Sequence, residues 1–317
     1  MRKHLAATLA GLVAIACMAL ILPASAAPEK IIIDTDIGDD IDDAFVVALA
    51  LQSPEVELLG ITTGFGDTKA RAAILDRMLG ETGHADIPVA IGTPSNANPG
   101  GFTQRAYGRG GHFARASHPA AVDFLLAQIR KYPGQITLVA VGPAPNIGEL
   151  IARDPDAFRK LKRVVTMGGA IAPYDDGWGG TGTPHPEWNV KNDIPAQQKL
   201  YAAGVPVVTM PLDSTAHLKM DEVRRSRLFA RGTPLSDALA LLYLQWSHGT
   251  RQATPTLFDP MTLAWLLKPS LCPTTPMHIV VDKDGMTRQT AGPANAQVCL
   301  KSDRAAFMDF VMQRLDR

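Results

Sequence analysis

Short apolar runs bounded by turn residues alternate along the chain with segments of helical period, the pattern of βαβ units built around a parallel sheet. The runs at 30–34, 57–62, 88–91, 135–141, 163–167 and 205–210 predict strands, and 43–52, 69–79, 120–131, 147–152 and 195–203 predict the helices between them. Residues 233–267 read as further helices, and the tail offers short strands at 277–282 and 297–300 before a last helix from Ser302. Two Gly/Pro-rich stretches, 92–117 and 168–186, far exceed the usual connection of about 4–6 residues, and loops of that size usually line a site. The expected fold is α/β: a single domain with a mostly parallel, Rossmann-like central sheet flanked by helices, plus a helical, loop-rich cap.

The N-terminus departs from this pattern. Arg2 and Lys3 precede an apolar segment from Leu5 to Leu22, and Ala24-Ser25-Ala26 forms a small-residue cleavage site before Ala27. That is the composition of a secretory signal, although the segment approaches the length of a membrane anchor and Cys17 admits a lipoprotein signal. Residues 1–26 are expected to be cleaved. The mature domain, 27–317, would then be exported, periplasmic or secreted, with no later stretch able to span a membrane. Cys272 and Cys299 remain after cleavage, either paired in an oxidising compartment or as buried thiols. Zero formal charge and few aromatics argue against nucleic acid and leave a small molecule as the partner.

The chemistry is concentrated in "IIIDTDIGDDIDDAFVVALAL", residues 31–51, which holds six aspartates within ten positions. The isoleucines deliver Asp34 and Asp36 to a strand's carboxyl end, where open α/β sheets bind ligands. Asp42 and Asp43 begin a helix, and capping accounts for one or two acids there. Six carboxylates would raise one another's pKa unless a cation joined them, and all-oxygen donors select Ca2+ or Mg2+. An EF-hand is excluded, because counting from Asp34 puts Asp39 at the glycine position and Phe45 at the bidentate acid. The "DTD" after "III" also resembles the opening of haloacid-dehalogenase-like phosphatases, which lack the double aspartate entering a helix.

Asp34-Thr35-Asp36, Gly38 and Asp42-Asp43-Ala44 resemble the opening signature of the nucleoside hydrolases, the inosine-uridine preferring ribohydrolase family. "GITTGFGDT" (60–68), "VAVGPAPNI" (139–147), "VTMGGA" (165–170), "PEWNVKNDIPAQ" (186–197) and "LFDPMTLAWLL" (257–267) look like its later motifs in the same order. The resemblance implies hydrolysis of a ribonucleoside by a homo-oligomer, dimer or tetramer, with one Ca2+ per subunit. It implies Asp36 as general base and metal ligand, with Asp43, Asp259 and the Val141 carbonyl completing the metal's ligands. Asp42, Asp67, Glu187 and Asn189 take the sugar-binding positions, though Glu187 and Asn189 also read as a solvated helix-entry loop.

Three departures stand out. The spacing from Asp36 to Asp43 is longer than the commonest form of the motif, through Asp39 and Asp40. Asp67 replaces an asparagine, and Phe258 replaces the histidine that protonates the leaving base. His112, His185, Arg109 and Tyr107 in the long loops are candidates for that duty, and Trp178 and Trp188 for stacking on a base; a loop histidine is more often simply solvated, and the alternative for the tryptophans is packing of the loop against the cap. An exported protein that holds a ribosyl ligand without cleaving it is the alternative reading.

Overall fold

A computed structural model describes residues 27–95, 102–109 and 112–316. The expected signal, 1–26, lies outside the described residues. Eleven strands are present among those described: β1 Glu29–Thr35, β2 Val56–Thr63, β3 Val89–Ile91, β4 Ile136–Ala140, β5 Arg163–Met167, β6 Tyr174–Asp175, β7 Thr181–Gly182, β8 Val207–Met210, β9 Thr275–Val281, β10 Thr287–Thr290 and β11 Ala296–Val298. Nine form one sheet in the order β10-β9-β11-β8-β5-β4-β1-β2-β3, and β6 pairs with β7 as a separate hairpin. From β3 across to β11 every pairing is parallel; at the edge β9 alone is reversed, pairing antiparallel with both β11 and β10. This is the single α/β domain that the alternation of apolar runs and helical periods implied.

The isoleucine run shows why the sheet is central. Ile31 and Ile33 join the core on one face and Ile32 the core on the other, as the two-residue period of a strand requires. Both faces are covered by helices, so β1 has no polar side. Helices Asp42–Leu51, Pro234–Thr250, Pro260–Leu267 and Arg304–Leu315 supply the first face, and Ala121–Lys131, Pro145–Arg153 and Ile194–Ala202 the second. The expected cap is continuous with this core: Leu235, Leu239, Leu242 and Trp246 of Pro234–Thr250 are buried with Ile31 and Ile33.

Because β1 pairs with β2 on one side and β4 on the other, the sheet order reverses beside it. The carboxyl end of such a reversal is where open α/β sheets leave a crevice. Cys272 and Cys299 are joined, with Cα atoms 5.6 Å apart, tying the segment after Pro269–Leu271 to the end of β11. Among the described residues no helix is long and apolar enough to cross a membrane.

Candidate active site

The acidic turn begins where β1 ends. Asp34 accepts hydrogen bonds from the Thr62 hydroxyl and from Asn146 Nδ2 at 2.7 Å, which makes it a splint between β1, β2 and the helix Pro145–Arg153. Asp36, two residues on, lines the cavity instead. The chain then turns at Gly38 with φ +121°, and a Cβ there would lie 2.0 Å from the Phe102 ring. Only glycine satisfies both conditions. Gln104 donates to the Gly38 carbonyl (3.1 Å) and the Asp40 carbonyl (2.6 Å), and Thr103 to the Asp39 carbonyl (2.9 Å). The long 92–117 stretch therefore clamps the acidic turn from outside.

Arg71 holds the turn from inside. It comes from the helix Thr68–Glu81, is 1% exposed, and donates to the carbonyls of Phe65, Asp36 and Ile37 and to both oxygens of Asp39 (3.2 Å each). The extra Asp39 thus matches a buried guanidinium. Replacing Arg71 by Met is expected to lower unfolding free energy by about 3–5 kcal/mol, since it strips the partly buried Asp39 carboxylate and three backbone carbonyls of a buried guanidinium; urea titration measures it, and a loss below about 1 kcal/mol would show the pair to be dispensable.

The crevice is a cavity of about 370 Å³. Asp36, Asp40, Asp42, Asp43 and Asp259 form its acidic floor. One carboxylate oxygen each from Asp42, Asp43 and Asp259 lies within 4.8 Å of the others. The Thr35 hydroxyl donates to Asp43, and the Asp259 amide to Asp42 at 3.1 Å. Burial first, then mutual repulsion, raises the pKa of Asp42, Asp43 and Asp259 well above the ordinary carboxylate value. Burial also raises Asp36 to about 7, against the opposing pull of Arg71, and Asp40 to about 6. Gly142, at the end of β4, makes room for Asp36: a Cβ there would sit 2.6 Å from its Oδ1.

No Lys, Arg or His is among the described residues lining this cavity. The floor therefore carries a concentration of negative charge that a cation fits. Oxygen donors without Cys or His suit a hard divalent ion.

A family model of the inosine-uridine preferring nucleoside hydrolases matches residues 31–309. The chain belongs to that family. It is 31% identical to the pyrimidine-specific ribonucleoside hydrolase RihA of Citrobacter koseri, over 90% of this chain and 97% of that protein. Its fold is similar to a plant nucleoside hydrolase (TM-score 0.79, 24% identity, covering 91% of this chain and 99% of that one) and to a purine-preferring ribonucleoside hydrolase from Gardnerella vaginalis (TM-score 0.79, 24% identity, 91% and 98%). As a nucleoside hydrolase the chain is a glycosidase acting on N-glycosyl bonds, which sets aside the phosphatase and binding-only readings.

Several residues singled out from the sequence meet in this nucleoside hydrolase's cavity: Asp36, Asp42, Asp43, Val141, Glu187, Trp188, Asn189 and Asp259 all line it. Glu187 also caps the helix Trp188–Lys191, accepting from the amides of Asn189 (2.9 Å), Val190 (3.2 Å) and Gly169 (3.0 Å). Asn189 Nδ2 donates to the carbonyls of Val141 (3.3 Å) and Met167 (3.2 Å), so the Val141 carbonyl shares its lone pairs with that amide.

Others lie elsewhere. Asp67 is half exposed, caps Thr68–Glu81 through the Ala70 amide and pairs with Arg105 at 2.7 Å, which lowers its pKa; it does not line the cavity. His112 and Arg109 are exposed and outside the lining, and His185 is exposed and turned to the Thr183 carbonyl. Tyr107 is buried, its hydroxyl donating to Glu81 at 2.7 Å. Asp213 accepts from the Ile171 and Ala172 amides and pins the loop after β5. Sequence reasoning missed Arg71 and the lining residues Leu212, Trp246, Thr250 and Gln252; "WSHGTRQ", the polar end of the apolar helix Pro234–Thr250, was the available signal for the last three.

Proposed function

We propose that this chain hydrolyses ribonucleosides to ribose and free nucleobase, with Asp36 as the base for the attacking water. The observation that carries the reading is the meeting of Asp36 with Asp42, Asp43 and Asp259 in one cavity that Trp188, Trp246 and Phe258 also line. Such a site offers carboxylates to a polyhydroxylated sugar and aromatic rings to a planar base.

Asp36, Asp43, Asp259 and the Val141 carbonyl would hold one Ca2+, and the position of Asp42 within the same acidic trio makes it a neighbour of that ion as well as a sugar ligand. When bound, a divalent ion supplies Lewis acidity toward water and a template for vicinal hydroxyls. The chain's own groups do the rest. Asn189, its amide nitrogen fixed by two carbonyls, offers Oδ1 to a sugar hydroxyl. Glu187, oriented by three amides, accepts from another. The direct test incubates the purified mature protein and Ca2+ with inosine, adenosine, guanosine, uridine and cytidine; reducing sugar and free base are expected from at least one, and none from any would overturn the reading.

We also place the protein in an exported compartment, supported by the N-terminal signal pattern and the Cys272–Cys299 bond. The intact mass of the exported chain should start at Ala27 and be two hydrogens short of the dithiol; a retained Met1 would refute cleavage. The homo-oligomer remains part of the proposal, and sedimentation of the mature protein tests it.

A further inference from the structure

Trp188, Leu212, Trp246 and Phe258 contribute aromatic and apolar surface to the cavity lining, with Thr250 and Gln252 among its neutral polar groups. None of the described lining residues is a His, Lys, Arg, Tyr or Cys. Breaking a C–N glycosidic bond leaves the electron pair on the base, which departs poorly as an anion. Apart from its carboxyl groups, the described lining offers that base no titratable proton donor.

Residues 218–220 run antiparallel to 255–257: the Met220 amide donates to the Pro255 carbonyl (2.9 Å) and the Leu257 amide to the Leu218 carbonyl (2.8 Å). This pairing sets Lys219 opposite Thr256, two residues before Phe258. Its Nζ donates to Thr256 Oγ1 at 2.7 Å and stands 5.9 Å from the centre of the Phe258 ring and 5.2 Å from that of Trp178. Trp178, 68% exposed, lies in the turn between β6 and β7. Asp175 and Asp176 shape that turn by accepting from the amides of Gly177, Trp178 and Gly180. Gly177, at φ +79°, lets the turn rest on the lysine stem, since a Cβ there would be 2.7 Å from Lys219 Cε. The charged groups facing the ammonium are Asp40, Asp175 and Asp176, opposed by Arg304. Half-burial lowers the pKa of Lys219, which brings its proton closer to transfer.

We propose that Lys219, held between Phe258 and Trp178, is the acid that serves the departing base. The proposal rests on the ribohydrolase reading above. As the C1′–N bond breaks, its electron pair goes to the base and Lys219 Nζ gives the base a proton, becoming neutral. The water oxygen bonds to C1′, and its proton passes to Asp36. Transfer of that proton through solvent back to Lys219 restores both groups, so one nucleoside and one water become ribose and neutral base. The flexible stem exchanges the Thr256 contact for the base.

The test compares a ribonucleoside with p-nitrophenyl β-D-ribofuranoside, whose leaving group departs without a proton. Lys219→Met should lose about 10²–10⁴-fold in kcat/KM on the nucleoside and stay within about threefold of the parent on the nitrophenyl riboside. The retained nitrophenyl activity also reports a folded site. Equal losses on both substrates, or a nucleoside rate within about threefold of the parent, would overturn the role of Lys219. A parent protein inactive on both substrates would remove the ribohydrolase reading itself, and the proposal with it.

Discussion

Replacing Asp36 by Asn is expected to lower kcat on a ribonucleoside by about 10²–10⁴-fold, the usual worth of a positioned base, and to leave the fold intact. Asn fills the same space above Gly142, where no Cβ is tolerated, but takes no proton. Folding is not expected to suffer, because Asp36 is buried and repelled by Asp39 and Glu187, so a neutral side chain relieves charge. Arg71 is retained, since its bond at this position is to the Asp36 carbonyl. Steady-state kinetics with a thermal melt on the same sample separate the two effects; a kcat near the parent value would end the assignment of Asp36 as base.

Asp43→Ala is expected to abolish stoichiometric binding of the divalent ion. Asp43 belongs to the trio whose oxygens lie within 4.8 Å of one another, and its loss leaves Asp42 and Asp259 without their common neighbour. Elemental analysis after exhaustive dialysis against Ca2+ should show about one equivalent in the parent and little in the variant; a full equivalent in the variant contradicts the site. Stability gives an independent reading. With free ion at about a hundred times its Kd, the parent gains about 2.7 kcal/mol, a gain the variant lacks. In chelator the order is expected to narrow or invert, because repulsion among Asp36, Asp42 and Asp43 has been relieved.

Much of this was readable in the chain, for physical reasons that differ by residue. Ile31 to Ile33 announce a strand buried on both faces because three apolar residues in a row leave no solvent side, and the aspartates after them mark the strand end. Arg71 was not readable. In "TKARAAILDRML" an arginine at helical period belongs by default to the wet face, and its burial follows from where Phe65, Ile37 and Asp39 fold around it. Asp34 and Asp36 look equivalent in "DTD", yet Thr62 and Asn146, 28 and 112 residues away, take the first and leave the second for the cavity. β10 escaped notice because "TRQT" carries no apolar residue; it is an edge strand paired on one side only, with β9. Asp67 illustrates the opposite failure, a position that fits a motif while its side chain caps a helix and pairs with Arg105.

The hydrogen bond from the Asp259 amide to Asp42 spans 217 positions of chain. A polypeptide made from its N-terminus has the whole acidic turn in hand long before Asp259 exists, and loop closure over such a distance comes late. An ion held by this trio would thereby be captured only by the completed domain, so that occupancy would register successful folding of the entire chain, while a truncated product would carry the signature aspartates without the affinity.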